Sequence, residues 1–220
     1  NKIILQSILR TNYFPNLLLY GPPGTGKTTT IINLVNAYQK KHGQLNKGLV
    51  IHLNASDERG IDIIRNQINQ FVTSKALFTN GTKLVILDEV DYMTKNAQQA
   101  LKYLLEINNK NVRFCLICNY ISKIDESLQN EFMRLRFNQL PKNSIIKFLL
   151  YINKNENLNF NNQELQEIQE LYKSDIRSMV NYIQSNQHLI KDKKILNNTI
   201  WSDLINEFKN DIELSLFKNK

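Results

Sequence analysis

Residues 21–28 read Gly21-Pro22-Pro23-Gly24-Thr25-Gly26-Lys27-Thr28, and this stretch decides the fold. It fits the P-loop pattern for phosphate binding, G-x-x-x-x-G-K-[ST]. An apolar run at 17–20 precedes it and a helical pattern from Thr28 to Gln39 follows, which is the strand–loop–helix context that the pattern requires. The alternative, a tight glycine-rich turn without a ligand, does not account for this context. The stretch therefore predicts a site for a phosphorylated ligand.

The residue types in this loop indicate how a nucleotide is held. Glycines let backbone N–H groups turn inward around an anion, and the N-terminus of the following helix adds its dipole. Lys27 is expected to reach the β- and γ-phosphates, and the Thr28 hydroxyl is expected to bind Mg²⁺. The predicted ligands are a nucleoside triphosphate and Mg²⁺. The predicted nucleotide-binding residues of the loop are Gly21, Pro22, Pro23, Gly24, Thr25, Gly26, Lys27, Thr28 and Thr29.

A second motif follows about 60 residues later. The apolar run Leu84–Leu87 ends in two carboxylates, Asp88 and Glu89. A carboxylate at the carboxyl end of a strand beside a P-loop belongs in the Mg²⁺ shell, and we assign this role to Asp88. Glu89 is then placed to orient and deprotonate the attacking water. An acidic pair at a strand end is common by itself, and it gains meaning here from the P-loop upstream.

Short apolar runs separated by helical stretches predict a parallel sheet flanked by helices, an α/β fold. The predicted strands are Leu17–Tyr20, Leu49–Leu53, Leu84–Leu87 and Phe114–Cys118. Residues 142–220 contain neither Gly nor Pro, which favours packed helices. The expected helix caps in this part are Asn143, Asn162, Ser174 and Thr199. A domain boundary is predicted near Leu140–Pro141.

The chain has 220 residues and a net charge of +8, which suggests a nucleic-acid partner. However, 21 of its 28 basic residues are Lys, whereas Arg is the residue that binds phosphate in a bidentate manner. An acidic partner and the codon bias of an AT-rich genome both explain this charge. No run of 18 apolar residues predicts a membrane-spanning helix, and residues 1–9 show no signal for secretion.

Cys115 and Cys118 have C-x-x-C spacing, which raises redox or zinc chemistry as an alternative. A separation of three along a strand puts the two side chains on opposite faces. No second cysteine pair or nearby histidine completes a zinc site. We therefore predict two buried structural cysteines.

Two further polar residues have an open role from sequence alone. Asn119 follows the fourth strand and is expected at the same sheet edge as Asp88, where it either contacts the γ-phosphate and the attacking water or forms a turn. Arg65 lies opposite the apolar face of a helical pattern. It either binds a phosphate or is a solvated residue paired with Asp62.

The chain resembles the small subunits of replication factor C, the eukaryotic clamp loader, within the AAA+ ATPases. The resemblance covers about residues 15–190 and rests on 19–28, 53–62, 83–101 and 113–120. Segment 54–62 is much more specific to this family than the P-loop is. The segment that begins at Ile61 looks most like subunit five, which is the third subunit in yeast naming.

This resemblance implies a P-loop NTPase of the AAA+ type, with a five-stranded parallel sheet flanked by helices and a small all-helical lid domain. The expected domains are an ATPase domain at 1–140, a lid at 141–195 and the start of a truncated collar at 196–220. The family's segment upstream of Asn1 and most of its collar are expected to be absent. The implied catalytic residues are Glu89 as base with Lys27, Asn119 at the sensor-one position and Arg177 at the sensor-two position. Arg65 and Lys102 are the implied DNA contacts.

One departure from the family lies at residues 130–132. The family has Ser-Arg-Cys there, and its arginine completes the ATP site of the neighbouring subunit. This chain has Glu131 at that position. An acid cannot stabilise the charge that develops on a transferred phosphoryl group, and an arginine finger is worth about 10³–10⁵ in rate elsewhere. Arg134 lies three residues away, about 10 Å along a strand, which is too far to substitute.

The resemblance also implies the activity and its setting. The expected protein is a nuclear ATPase in a heteropentamer with other replication factor C subunits, which opens a sliding clamp and loads it on primer–template DNA. An alternative is an ATP-binding scaffold subunit with little turnover. A third, an unrelated AAA+ remodeller, disagrees with segment 54–62. The stretch Phe71–Phe78 is either the clamp contact or ordinary core.

Overall fold

The computed structural model describes residues 1–43, 46–56, 63–74, 81–107 and 111–186, together with positions 202, 205, 206 and 208. The family-specific residues 57–62, residues 75–78 of the expected clamp contact and the predicted helix start at Thr199 lie outside these ranges. So does most of the expected collar region. The chain divides into two compact units, 1–139 and 140–220.

The first unit is built on five parallel strands in the order β2-β3-β4-β1-β5. This arrangement confirms the predicted five-stranded parallel sheet flanked by helices. The strands are β1 Leu17–Tyr20, β2 Val50–Asn54, β3 Lys83–Asp88, β4 Val112–Cys118 and β5 Met133–Arg136.

Helices cover both faces of this sheet. They are α1 Lys2–Arg10, α2 Lys27–Lys41, a π-helical turn Ile63–Ile68 that runs into α3 Asn69–Thr73, α4 Lys95–Ile107 and α5 Glu126–Gln129. Side chains of α1 and α2 pack on one face, and side chains of α3 and α4 pack on the other. The three central strands are therefore buried from both sides, as their continuous apolar runs predict.

The edge strand β5 was not among the four apolar runs. Only Leu135 of its four residues is buried. It pairs with β1 in the register Leu17↔Met133 to Tyr20↔Arg136. An edge strand with one buried side chain lacks the apolar periodicity on which a prediction from sequence depends.

The second unit contains helices α6 Lys142–Asn155, α7 Asn162–Tyr172 and α8 Ile176–Asn186. They enclose a small core, and no helix in the described part of the chain is long and apolar enough to cross a membrane. Of the four caps predicted in this unit, the three that fall on described residues are each wrong by one or two residues. The cap of α6 is Pro141, and Asn161 caps α7 through a reciprocal pair with Glu164. At α8 the carboxylate of Asp175 accepts from the Ser178 N–H at 3.2 Å.

Candidate active site

The phosphate-binding loop lies at the carboxyl edge of the sheet, between β1 and α2. Gly21 and Gly26 have φ angles of 142° and 83°, which only glycine adopts without strain. Gly21 also packs so closely on the segment after β5 that a Cβ there would collide with the carbonyl oxygen of Phe137. The loop thus needs glycine at Gly21 for conformation and for space.

Lys27 begins α2 and is 6% exposed. Its Nζ donates to the carbonyl oxygens of Gly21 at 2.7 Å and Pro22 at 2.8 Å, and to Oδ1 of Asn119 at 2.9 Å. The ammonium is therefore held over the loop by three oxygens. Because a bound phosphate offers stronger, charged acceptors, this amine is placed to exchange carbonyl partners for phosphate oxygens.

Thr28 and Asp88 meet across the strand edge. The Thr28 hydroxyl donates to Oδ2 of Asp88 at 2.7 Å. Both side chains are half-buried. A hydroxyl and a carboxylate are hard oxygen ligands of the kind that Mg²⁺ prefers. The donor set present at this position therefore fits the predicted ion.

Glu89 follows Asp88 in an unusual backbone conformation. Its φ is 57°, in the left-handed region that non-glycine residues rarely adopt, at a cost of about 1–2 kcal/mol. The Glu89 N–H donates to Oδ1 of Asp88 at 2.9 Å. Backbone strain of this kind persists where the surrounding structure requires it, and it is enriched at active sites. The left-handed conformation of Glu89 turns the chain from β3 into the short 3₁₀ turn Val90–Tyr92.

Asp91 is a residue of this edge that the sequence reasoning missed. It is 5% exposed, and its Oδ2 accepts from the Tyr120 N–H at 3.4 Å. Its Oδ1 has no hydrogen-bond partner in the described part of the chain. Asp91 connects the loop that carries Glu89 to the residue after Asn119. The sequence signal by which Asp91 could have been found is the third acid in Asp88-Glu89-x-Asp91.

Asn119 lies directly after β4, half-buried and bonded to Lys27. The structure therefore brings together Lys27, Thr28, Asp88 and Asn119, with Glu89 next to them in the chain. Thr29 is exposed on α2.

The remaining predicted site residues belong to other elements of the chain. Arg177 is exposed in the first turn of α8, in the second unit. Arg65 belongs to the π-helical turn, and its side chain lies outside the described part of the structure. Lys102 is half-buried on α4. Hydrogen bonds from Ser127 lower the pKa of the Asp125 carboxyl, and the charge of Lys102 adds a smaller shift in the same direction.

The two cysteines lie in β4 and face opposite sides of the sheet, as predicted. Burial raises the pKa of both thiols, to about 12 for Cys118, where the charge of Asp91 adds to the shift. Thiols held this far from ionisation are poor nucleophiles and poor metal ligands. No group of three or more metal-binding side chains (His, Cys, Asp or Glu) occurs within the described ranges.

Glu131 is exposed in the turn before β5. Its backbone N–H donates to the Leu128 carbonyl at 3.1 Å, which ends the short helix α5. Arg134, on β5, donates to Oε1 of Gln129 at 3.4 Å. The acid is thus displayed on the surface at the position where the resemblance places an arginine.

The sequence matches the family described as "ATPase family associated with various cellular activities (AAA)" over residues 17–140. It is 39% identical to replication factor C subunit 5 of Mus musculus over 208 residues, which are 94% of this chain and 60% of the mouse protein. It is 40% identical to replication factor C subunit 3 of Schizosaccharomyces pombe, over 82% of this chain and 52% of that protein.

An archaeal protein, replication factor C small subunit 2 of Pyrobaculum islandicum, is 42% identical over 83% of this chain and 56% of its own length. The chain therefore spans about half to three fifths of the length of these relatives. Small subunits of replication factor C are its homologues, as the sequence motifs predicted. The matched family model covers the whole sheet and the phosphate-binding loop, and the chain belongs to the AAA family of ATPases.

Proposed function

We propose that the protein is an ATP-hydrolysing subunit of a replication factor C clamp loader, which opens a sliding clamp and loads it onto primer–template DNA in the nucleus. The observation that carries the ATPase part is the convergence of Lys27 with Asn119 and of Thr28 with Asp88 at one sheet edge. Asp88 and Asn119 come from the ends of two strands, β3 and β4, and Lys27 and Thr28 come from the start of α2. The names of the relatives support the clamp-loading part.

In this proposal the P-loop binds the nucleotide through its backbone. The N–H groups at the start of α2 and the Lys27 ammonium hold the β- and γ-phosphates. Thr28 and Asp88 hold Mg²⁺, which when bound neutralises charge on the β- and γ-phosphates. Asp88 also accepts the Glu89 N–H, so ion binding and the orientation of the base are linked through one carboxylate.

Hydrolysis requires a water held in line with the γ-phosphorus. Glu89 accepts a proton from this water, the oxygen forms a bond to phosphorus, and the bond to the ADP oxygen breaks to release ADP and phosphate. Lys27 stabilises the charge on the transferred group, and Asn119 orients the water or the γ-phosphate. Arg177 is proposed to reach the nucleotide from the lid.

The whole complex supplies the other partners. We propose that this subunit assembles with further replication factor C subunits into a heteropentamer, and that Arg65 and Lys102 contact DNA backbone phosphates. For the clamp contact at 71–78, Phe71 is half-buried and packs against the main core. Its packing favours the core alternative for this residue, and Phe71 is assigned to the core rather than to the clamp contact.

A scaffold subunit that binds ATP without turning it over is the second candidate. Glu131 is a departure of this chain from the family's catalytic pattern, but the finger position serves the neighbour's ATP site, so it leaves turnover at this subunit's own site open. Glu89→Gln, tested in the assembled complex, separates the two proposals. Hydrolysis at this site predicts that clamp loading slows by about 10²-fold or more when the base is lost. An unchanged loading rate identifies the site as a scaffold.

A further inference from the structure

Lys83 is a buried lysine outside the ATP site. It is the first residue of β3 and is 7% exposed. Its Nζ donates to the carbonyl oxygens of Phe71 at 2.5 Å and Val72 at 3.3 Å, and to the carbonyl oxygen of Ser74. It also donates to the Ser74 hydroxyl at 3.0 Å and lies 5.3 Å from the centre of the Phe71 ring.

These acceptors form the carboxyl-terminal end of α3. The last carbonyl groups of a helix have no partner within the helix, and a cation there also complements the helix dipole. A buried ammonium is costly unless it is fully paired. Here every partner of the buried charge in this cluster lies on the last turn of α3 or just beyond it. Lys83 therefore holds the end of α3 against the start of β3.

The two ends of β3 carry residues with different roles. At its first residue Lys83 holds the end of α3, which continues the π-helical turn that carries Arg65. At its last residue the strand carries Asp88, followed by Glu89. The strand is about 17 Å long and lies between β2 and β4 in the sheet. The end of α3 is thus in contact with the strand that ends in Asp88 and leads into Glu89.

The rest of α3 is held in a different way. Ile68 and Val72 are buried in the main core, so apolar packing keeps the segment on the sheet without the lysine. The ammonium fixes only the last turn. Loss of this one group is expected to loosen the end of α3 while the fold persists.

We propose that Lys83 is a positioning residue that fixes the carboxyl-terminal end of the helical segment 63–73 against β3 and thereby couples DNA binding to ATP hydrolysis. This inference rests on the proposed function, in which that segment contacts DNA. It assigns a role to a residue that touches neither nucleotide nor DNA.

The test uses Lys83→Met in the complete, assembled complex, because methionine keeps the apolar stem and removes the ammonium. ATP hydrolysis is measured with and without primer–template DNA. We expect the rate without DNA to stay within about twofold, while the stimulation by DNA falls by about fivefold or more, the usual range of coupling between two sites. Lys40→Met, at an exposed lysine in the last turn of α2, is the matched control and leaves both rates unchanged.

A second readout concerns the helix end itself. The Ser74 N–H donates to the Gln70 carbonyl at 2.9 Å, and amide hydrogen exchange at Ser74 should become faster in Lys83→Met. Ser74→Ala removes one of the oxygens that accept a hydrogen bond from the ammonium. It should also reduce the stimulation by DNA, but by less than Lys83→Met does. This milder variant provides the test if Lys83→Met fails to assemble.

Two results overturn the inference. The first is DNA stimulation that stays at the wild-type level in Lys83→Met, or in Ser74→Ala if only that variant assembles. The second is a proportional loss of both rates, which indicates a purely structural lysine. Arg65→Ala, measured for DNA affinity in the same complex, tests the underlying DNA contact separately. If Arg65→Ala leaves DNA affinity unchanged, the proposed contact fails whatever the Lys83 variants do.

Discussion

The Nζ of Lys27 lies 2.9 Å from Oδ1 of Asn119, although 92 residues separate them in the chain. This hydrogen bond joins the loop after β1 to the end of β4, the neighbouring strand. The residue proposed to bind the γ-phosphate and the residue proposed to sense it are thus already in contact. A phosphate bound by Lys27 is therefore expected to lie within reach of Asn119 as well.

The Thr28 hydroxyl is expected to matter through Mg²⁺. Thr28→Val keeps the side-chain volume but removes the donor that lies 2.7 Å from Asp88. We expect the affinity of the nucleotide site for Mg²⁺ to fall by about 10- to 100-fold. Titration of ATP at a series of Mg²⁺ concentrations measures this effect. Thr28→Ser restores the hydroxyl and should behave like the wild type; a serine variant as weak as the valine variant contradicts the assignment.

Gly21 and Gly26 should differ in their tolerance of alanine. A Cβ at Gly21 meets the Phe137 carbonyl, whereas a Cβ at Gly26 meets nothing within 4 Å. Gly26→Ala is therefore expected to cost only the conformational penalty of about 1–2 kcal/mol. Gly21→Ala should lower the free energy of unfolding by about 1–3 kcal/mol more, because the backbone must move. Urea denaturation of both variants provides the comparison, and equal losses would count against this close approach.

Glu131 predicts that this subunit does not activate the ATP site of a neighbour. Glu131→Arg in a reconstituted complex should increase hydrolysis at the adjoining site, toward the 10³–10⁵-fold effect of an arginine finger. The measurement is single-turnover hydrolysis with the other ATP sites inactivated. Glu131→Gln is the matched control, since it removes the negative charge without supplying a guanidinium. The prediction fails if the wild-type subunit already stimulates its neighbour.

The buried thiols predict a loss of stability in alkali. Burial raises the pKa of Cys118 from 9.0 to about 12 and shifts Cys115 in the same direction. Above pH 9 the unfolded chain therefore holds fewer protons on these thiols than the folded chain. The free energy of unfolding should fall by about 1.4 kcal/mol per pH unit for each thiol.

Denaturation at pH 8, 9 and 10 measures this slope. The double variant with Cys115→Ala and Cys118→Ala is the control, because it keeps every other titrating group. Its stability should fall less steeply above pH 9 than that of the wild type. Equal slopes in the two proteins would show that the thiols ionise as easily in the folded state as in the unfolded state.

Much of the candidate site could be predicted because each of its parts follows a buried apolar strand. Parallel strands bring their carboxyl ends to one edge of the sheet. The direction of the strands alone therefore predicts that Lys27, Asp88 and Asn119 lie close together. The continuous apolar runs of β1, β3 and β4 made these strands easy to recognise.

Other features depend on contacts that no local pattern reveals. Strand β5 has one buried residue, and its pairing with β1 defines it. Asp91 is buried because a loop from β4 supplies the Tyr120 N–H. The partners of Lys83 belong to a helix end that precedes it by 9 to 12 residues. At α7 and α8 the caps fall on polar residues adjacent to the predicted ones, and Asn161 is selected over Asn162 by its reciprocal bond with Glu164. At α6 the cap is Pro141, which makes no side-chain cap hydrogen bond that a polar pattern could reveal.

Equilibrium binding of ATP to the full-length protein in the presence of Mg²⁺, compared with Lys27→Ala, tests the central claim most directly. The ammonium is expected to exchange its bonds with the Gly21 and Pro22 carbonyls and with Asn119 for bonds to phosphate. Charge-assisted hydrogen bonds of this kind contribute about 1.5–3 kcal/mol. The account predicts that the variant binds ATP at least about tenfold more weakly. An unchanged affinity for ATP would contradict the assignment of this sheet edge as the nucleotide site.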